Sequence, residues 1–147
     1  MKAITFNQFG AASEVLAVSL LAAPKPQAGE GLIRMASSGG NPSDVKKRAG
    51  AFPDLLDHGP VIPHSDGAGV IEVVGEGVSE ARLGERVFVY QAQHGRPMGT
   101  AADYVAIDSS RAAVLPEEAS FAVGACVGIP IMTAHRCVTA DGPVGGL

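Results

Sequence analysis

Short runs in which apolar residues alternate with polar or small ones make up most of the first 115 positions, and glycine and proline separate these runs. Such alternation is typical of strands with one buried face. The firmest case is 67–78, GAGVIEVVGEGV, where β-branched residues are concentrated. Further strands are expected in six runs: 1–9, 15–21, 31–39, 84–90, 100–107 and 112–116. Many short strands joined by Gly/Pro turns predict a mainly β domain, either a small barrel or a sandwich.

One short helix is predicted between these strands. Pro42 suits the first position of a helix, Asn41 suits its N-cap, and Gly50 ends it after about Ala49. The segment 52–64, FPDLLDHGPVIPH, contains three prolines and a glycine and is therefore predicted to be a loop.

The pattern changes after Pro116. Residues 117–142 are rich in alanine and lack strand alternation, so we expect two helical segments, divided at Gly128–Pro130. Cys126 and Cys137 lie in this apolar stretch and are interpreted as buried small residues rather than a disulfide pair. The domain is thus expected to be mainly β with a helical segment leading out of it.

Composition and charge exclude several classes of function. The 147 residues suit one domain, and 46% hydrophobic with 18% charged residues indicates an ordinary globular chain. The net charge is −4 and the densest basic cluster is Lys46–Arg48, which argues against a nucleic-acid partner. No apolar run approaches the roughly 18 residues of a membrane span, and the start does not resemble a signal peptide. A cytoplasmic protein without membrane partners is expected.

Motifs with known chemistry do not by themselves name a reaction. Gly67-x-Gly69 lacks a third glycine, because position 72 is Glu72, and it opens a strand, so close packing in a sheet explains it better than a dinucleotide turn. The four histidines and two cysteines have no metal-ligand spacing. No G-x-S-x-G nucleophile motif is present.

Taken together and in order, several segments resemble the N-terminal domain of the medium-chain dehydrogenase/reductase superfamily. They are MKAITFNQFGAASEVL, GGNPSDVKKRAG, PVIPHSDGAGVIEVVGEGV, LGERVFVY, AADYVAI, LPEEASFAVGACVGIPIMTAHRCV and ADGPV. The resemblance is strongest to the zinc-free quinone oxidoreductases, the zeta-crystallin-like branch. It implies a GroES-like, partly open β-barrel in residues 1–125 and a helical connector in 126–147. In this family a Rossmann domain follows, so the chain is expected to be a fragment of a longer protein.

The resemblance also implies that the protein binds no zinc. Zinc alcohol dehydrogenases place a cysteine, a histidine–glutamate pair and a second cysteine at positions that match Asn41, Ser65 with Asp66, and about Ile129. Without a metal to acidify a hydroxyl, alcohol oxidation loses its Lewis acid. A quinone or enone is already electrophilic, and hydrogen bonds suffice to polarise it. The implied reaction is therefore hydride transfer from NADPH to a conjugated carbonyl.

The same match implies site residues. Asn41 is the candidate catalytic residue; Asn41, Lys46 and Phe52 are candidates for the substrate cleft; Asn41 and Thr133 are candidates for contacts with the cofactor. Two of them have a plainer interpretation: Asn41 as a helix cap and Thr133 as an ordinary helical residue. Relatives often carry tyrosines where this chain has Lys46 and Phe52, so another enone, an aldehyde or a nitro compound remains an alternative to a quinone.

Several alternatives stay open at this stage. The sequence does not choose between NADP and NAD. A homodimer is a candidate for the full-length protein only, because relatives commonly dimerise through the second domain. The isolated chain is expected to be inactive, and a non-enzymatic GroES-like binding or structural module is the alternative to an oxidoreductase.

Overall fold

A computed structural model of the protein describes residues 1–140 and 142. Seven strands are present in this part: β1 Lys2–Thr5, β2 Ala17–Leu20, β3 Glu30–Gly39, β4 Asp66–Val74, β5 Arg86–Val89, β6 Tyr104–Asp108 and β7 Ala112–Val114. Four α-helices accompany them: α1 Ala12–Val15, α2 Pro42–Arg48, α3 Phe121–Gly124 and α4 Gly128–Thr139. Single 3-10 turns occupy Pro53–Leu56, Glu80–Arg82 and Ser109–Arg111.

The strands form one large antiparallel sheet and one small one. The large sheet has the order β6-β3-β4-β5-β7, and β1 pairs with β2 outside it. In the part of the chain that the structure describes, β6 and β7 do not pair with each other, so the sheet is not closed into a barrel. The expectation of a mainly β domain with short helices, built on a partly open barrel, is confirmed: the large sheet is left unclosed.

Two glycines of β4 allow β3 and β4 to approach closely. A Cβ added at Gly69 would overlap the backbone oxygen of Arg34 on β3, and one at Gly67 would overlap the side chain of Met35. Both glycines lie inside the strand. The interpretation of Gly67-x-Gly69 as sheet packing rather than a phosphate-binding turn is therefore confirmed.

The main core lies on one face of the large sheet. Its fully buried side chains include Ile33 of β3, Ile71 of β4, Val87 and Val89 of β5, and Ile107 of β6. Burial of each such side chain contributes about 2 kcal/mol relative to exposure. A second cluster joins Phe6, Val15 and Val61, and bridges from Phe6 to Val61 and from Ile62 to Met98 hold the 52–64 loop against the domain. This loop is thereby fixed beside α2.

The structure corrects two predictions about the helical end. Residues 125–127 form a turn between α3 and α4, so the break precedes Gly128. Pro130 lies in the first turn of α4, where its missing N–H has no helical acceptor to lose. Cys126 and Cys137 are exposed rather than buried. Cys126 lies in the turn before α4, and Cys137 lies on α4, most of whose residues are exposed.

None of the helices in the described part of the chain has the length and apolar character required to cross a bilayer. The turn-rich end of the sequence and the last residues of the expected connector, 141 and 143–147, lie outside the described residues.

Candidate functional site

The centre of the candidate site is the junction between β3 and α2. The strand ends at Gly39 and the helix begins at Pro42, so Asn41 takes the N-cap position with an extended backbone (φ −119°, ψ 158°). The carboxylate of Asp44 accepts a hydrogen bond of 2.7 Å from the backbone N–H of Asn41. This bond, from the N-cap N–H to the side chain three residues later, is one of the two bonds of a capping box. It fixes the position at which the chain enters the helix. The predicted helix is confirmed, with Asn41 at its N-cap position, but the side chain of Asn41 makes no capping hydrogen bond.

The side chain of Asn41 points away from the helix toward another buried acid. Asn41 is 8% exposed, and its Nδ2 donates to Asp66 Oδ2 at 2.9 Å. The backbone N–H of Ile129, in the first turn of α4, donates to the same oxygen at 2.9 Å. Asp66 is the first residue of β4, so one carboxylate oxygen joins β4, α2 and α4. The structure thus brings together three chain segments that are far apart in sequence.

Asp66 is fully buried, and its environment opposes ionisation. Burial raises the pKa of Asp66 above its ordinary value, and the charge of Asp44 raises it further. The hydrogen bonds from Asn41 and Ile129, and the nearby backbone of Gln91, act in the opposite direction but do not outweigh burial. Its second oxygen, Oδ1, has no hydrogen-bond partner among the described residues. That oxygen lies against Gly128, where an added Cβ would overlap it.

The donor set at these positions does not fit a zinc ion. Asn41 offers an amide N–H toward the carboxylate, Ser65 offers a hydroxyl, and Ile129 offers only its backbone. Zinc sites in proteins are built from thiolates, imidazoles and carboxylates, and here Asp66 alone belongs to these classes. Within residues 1–140 and Gly142, no three His, Cys, Asp or Glu side chains form a group that could hold a metal ion.

A pocket of about 590 Å³ lies next to this group. Ser65 and Ile129 connect the two, because each lines the pocket while adjoining or bonding Asp66. One side of the pocket comes from α2 and the loop after it, with Ser43 and Phe52 in its wall. The segment 91–97 after β5 supplies another side. This volume suits a small organic molecule.

Lys47 is the positioned cation of the pocket wall. Its Nζ donates to Gln93 Oε1 at 2.8 Å, and Gln93 Nε2 in turn donates to the carbonyl of Ile62 at 3.1 Å. Gln93 is 3% exposed, so its amide is held firmly. Burial lowers the pKa of Lys47 below its ordinary value, and the charge of Asp44 on the same helix raises it in part. The side chain therefore presents an ammonium group that gives up a proton more readily than a surface lysine.

Other charged groups line the same pocket. His58, Asp54 and His94 are exposed at its edge. Arg96 is committed elsewhere: it donates to the carbonyls of Ala106 at 2.7 Å and Met98 at 3.2 Å, and it lies 3.7 Å from Glu30. Arg96 is therefore a structural group of this wall more than a group available to a ligand.

The residues predicted from the sequence are placed differently by the structure. Phe52 lines the pocket and is 53% exposed, so its side chain is accessible to a bound molecule. Asn41 lies behind the pocket, bonded to Asp66. Lys46 is exposed on α2, and Lys47, one position later, lines the pocket instead. Thr133 is exposed on α4. The assignments of Lys46 and Thr133 to the cleft and the cofactor stay predictions.

Sequence reasoning missed Lys47, Gln93 and the role of Asp66. The sequence did indicate Asp66, because it lies at one of the positions compared with zinc ligands. It is also an acid at the start of a mostly apolar strand. Lys47 and Gln93 carried none, because 46 residues separate them and their contact depends on the fold.

Comparisons with known proteins agree with this architecture. Residues 27–117 match the family described as "Alcohol dehydrogenase GroES-like domain". Quinone oxidoreductase of Rattus norvegicus is 36% identical over 141 residues, covering 94% of this chain and 40% of the relative. The 2-methylene-furan-3-one reductase of Solanum lycopersicum is 30% identical over 140 residues, covering 92% and 36%.

A solved mycobacterial structure in complex with NADPH has a TM-score of 0.85 and 30% identity to this chain. The match covers 98% of this chain and 42% of that chain. The chain thus spans about 40% of the length of the relatives that it matches.

Proposed function

This chain belongs to the alcohol dehydrogenase GroES-like domain family, and on that premise we propose that it is the substrate-binding part of a zinc-independent, NADPH-dependent oxidoreductase acting on quinones or other conjugated carbonyls. The observation that carries the proposal is a small-molecule pocket adjoining a buried amide–carboxylate pair, Asn41 with Asp66, at the positions compared with zinc ligands. The similarity to quinone oxidoreductase supports the substrate class.

Hydrogen bonding takes the place of a metal in this proposal. At the positions compared with zinc ligands the chain has a carboxylate already engaged by two N–H donors. A conjugated carbonyl needs only polarisation to accept hydride, and we propose that donors in the pocket wall, such as Ser43 and Lys47, provide it. An unactivated alcohol would need a strong base or a metal to lose its proton. The residues therefore favour reduction of an activated acceptor.

We assign to the described residues contacts with the nicotinamide part of the cofactor only. Asn41 and Thr133 are the candidates for contacts with its nicotinamide part, and Gly67 and Gly69, being inside β4, do not form a phosphate-binding turn. NADPH, when bound, would supply a hydride. A relative solved with NADPH, at 30% identity, supports this choice of cofactor. Its adenosine and pyrophosphate would be held by the Rossmann domain that this family carries next to the GroES-like one.

The pocket suits a flat acceptor. The exposed face of Phe52 can stack on a quinone or enone, while the hydroxyl of Ser43 and the ammonium of Lys47 offer donors to its oxygen. In this arrangement residues 1–125 are the substrate domain and 126–147 lead toward the nucleotide-binding domain. The isolated chain is accordingly proposed to be inactive, with a cytoplasmic location and a homodimer proposed for the full-length protein.

The test is an acceptor panel on the full-length protein. NADPH oxidation is followed with a quinone, an enone, an aldehyde and a nitroaromatic compound, and a primary alcohol is offered with NADP⁺ as the matched reverse reaction. We expect the quinone or the enone to accelerate NADPH oxidation, and we expect the alcohol to produce no NADPH from NADP⁺. NADPH oxidation that no acceptor accelerates would contradict the proposal and leave a non-enzymatic binding module as the alternative.

A reductase for open-chain or ring enones is the second candidate within this proposal. It is favoured by the similarity to the tomato 2-methylene-furan-3-one reductase and by the presence of Lys46 and Phe52 where quinone-reducing relatives often carry tyrosines. A higher kcat/KM for enones than for quinones in the same panel would select it.

A further inference from the structure

We infer that Lys47 is the acid that receives the developing negative charge of the acceptor and donates the proton that completes its reduction. This inference rests on the proposed function, since it assumes that the pocket binds a conjugated carbonyl. It adds a residue that the sequence comparison did not select, because the expected cleft residue on α2 was Lys46.

The geometry distinguishes the two lysines. Lys47 lines the pocket, with its Nζ fixed at 2.8 Å from Gln93 Oε1, whereas Lys46 is exposed on α2. Gln93 is anchored in turn by its bond to the Ile62 carbonyl. Only one of the three ammonium hydrogens is used by Gln93 in the described structure. The remaining hydrogens can be offered to an oxygen atom bound in the pocket.

Other polar groups of the pocket are less suited to this task. Arg96 is occupied by two carbonyls and by Glu30, and an arginine does not release its proton near neutral pH. The hydroxyl of Ser43 is a much weaker acid than an ammonium group. The charged and titratable groups that face Lys47 or share its pocket are Asp44, Asp54, His58, His94 and Arg96. Of these, Asp44 stabilises its ammonium form, while burial favours release of the proton.

One hydride and one proton from the Lys47 ammonium group are sufficient to reduce the acceptor. NADPH, when bound, would supply a hydride to the β-carbon of an enone and become NADP⁺; the C=C electron pair would then move so that the carbonyl oxygen becomes an enolate. One N–H bond of Lys47 breaks as the enolate oxygen forms an O–H bond, which leaves a neutral amine. The enol then becomes the saturated ketone, and solvent returns a proton to the amine. For a quinone the same two transfers, followed by a proton shift from the ring carbon to the second oxygen through solvent, would give the quinol.

The first experiment separates the site from the reaction. The full-length protein, without nicotinamide cofactor, is mixed with 4-nitrophenol, whose oxyanion imitates the enolate and whose ionisation is visible. Because a cation within contact distance favours the charged form, the pKa of the bound phenol should fall by about one to three units. Lys47→Met should abolish this shift, whereas Lys25→Met, which removes the same charge outside the pocket, should retain it. Lys46→Met then compares the predicted cleft lysine directly with Lys47.

The second experiment separates proton donation from charge alone. Lys47→Arg keeps the cation but has no proton to give near neutral pH, so it should retain the shift of the bound phenol while acceptor turnover falls by about 100-fold. Circular dichroism and thermal unfolding establish that each variant is folded, and Lys47→Gln replaces Lys47→Met if that variant does not fold.

The outcomes can be told apart. A phenol shift that survives removal of the Lys47 charge, one that depends on Lys46, or no binding of the phenol at all would overturn the inference. Full turnover in Lys47→Arg would overturn proton donation. If the phenol shift depends on Lys47 but no acceptor accelerates NADPH oxidation, the proposed function fails while the oxyanion site stands.

Discussion

Removal of the Asp66 carboxylate tests the buried group on which the candidate site is built. Asp66→Ala would leave the Nδ2 of Asn41 and the backbone N–H of Ile129 without their acceptor. Asp66→Asn keeps one oxygen, which can accept both bonds from its present place. The two variants therefore differ in hydrogen bonding but share the loss of the negative charge.

The magnitude follows from the two donors. Leaving a buried donor without a partner costs about 1–3 kcal/mol. Asn41 is buried, whereas Ile129 is only partly so and its N–H has some access to water. Loss of the buried charge, which the protein holds at a cost, offsets part of this. We expect Asp66→Ala to lower the free energy of unfolding by about 2 kcal/mol and Asp66→Asn to change it by less than about 1 kcal/mol.

The pH dependence has a definite sign. Because the pKa of Asp66 is raised in the folded state, the folded protein binds this proton more tightly than the unfolded chain. The contribution of Asp66 to stability is therefore greatest below the unfolded pKa of about 3.9, and it is lost as the pH rises through the folded pKa. Asp66→Asn lacks this loss, so its stability relative to the wild type should increase with pH across that window.

Chemical denaturation in urea, followed by circular dichroism at several pH values, measures both effects. The reasoning would be refuted if Asp66→Ala were as stable as Asp66→Asn, or if the difference between the wild type and Asp66→Asn did not vary with pH. The first result would show that the two hydrogen bonds contribute nothing, and the second that burial does not raise the pKa of Asp66.

Three further changes test other parts of the structure. Asn41→Leu removes the side-chain donor from the buried carboxylate; we expect about a tenfold loss of kcat/KM with the fold retained in circular dichroism, and unchanged kinetics would contradict a role at the site. Gly69→Ala forces a Cβ into the backbone of the neighbouring strand, so the free energy of unfolding should fall by about 3 kcal/mol. The control Gly77→Ala has open space around it but a φ of +82°, and it should lower this free energy by about 1 kcal/mol. Phe52→Leu loses the aromatic face, and KM for a quinone should rise about threefold or more, whereas an unchanged KM would place the acceptor elsewhere.

The sheet and the helix cap were predictable because their signals are local. The β-branched run in 67–78 and the Asn41–Pro42 pair at the start of α2 each specify their structure within a few residues. The glycines of β4 could be interpreted correctly because their failure as a dinucleotide turn is visible in the same segment.

The site could be predicted only in part, because it depends on contacts between distant segments. Asn41, Asp66 and Ile129 were compared with zinc ligands, but the sharing of one carboxylate oxygen required the fold. The choice between Lys46 and Lys47 depends on the rotation of a seven-residue helix about its axis, which local sequence does not fix. The burial of Cys126 and Cys137 was wrong because an apolar, helix-forming segment does not reveal whether anything packs on it.

Acceptor reduction with and without zinc is the most direct test of the central claim, that the acceptor is polarised by hydrogen-bond donors of the pocket and not by a metal ion. NADPH oxidation by the full-length protein is measured with a quinone or enone before and after treatment with a strong zinc chelator, and again after zinc is added back. The account predicts acceptor-dependent oxidation that neither treatment changes. Activity that the chelator abolishes and zinc restores would contradict it.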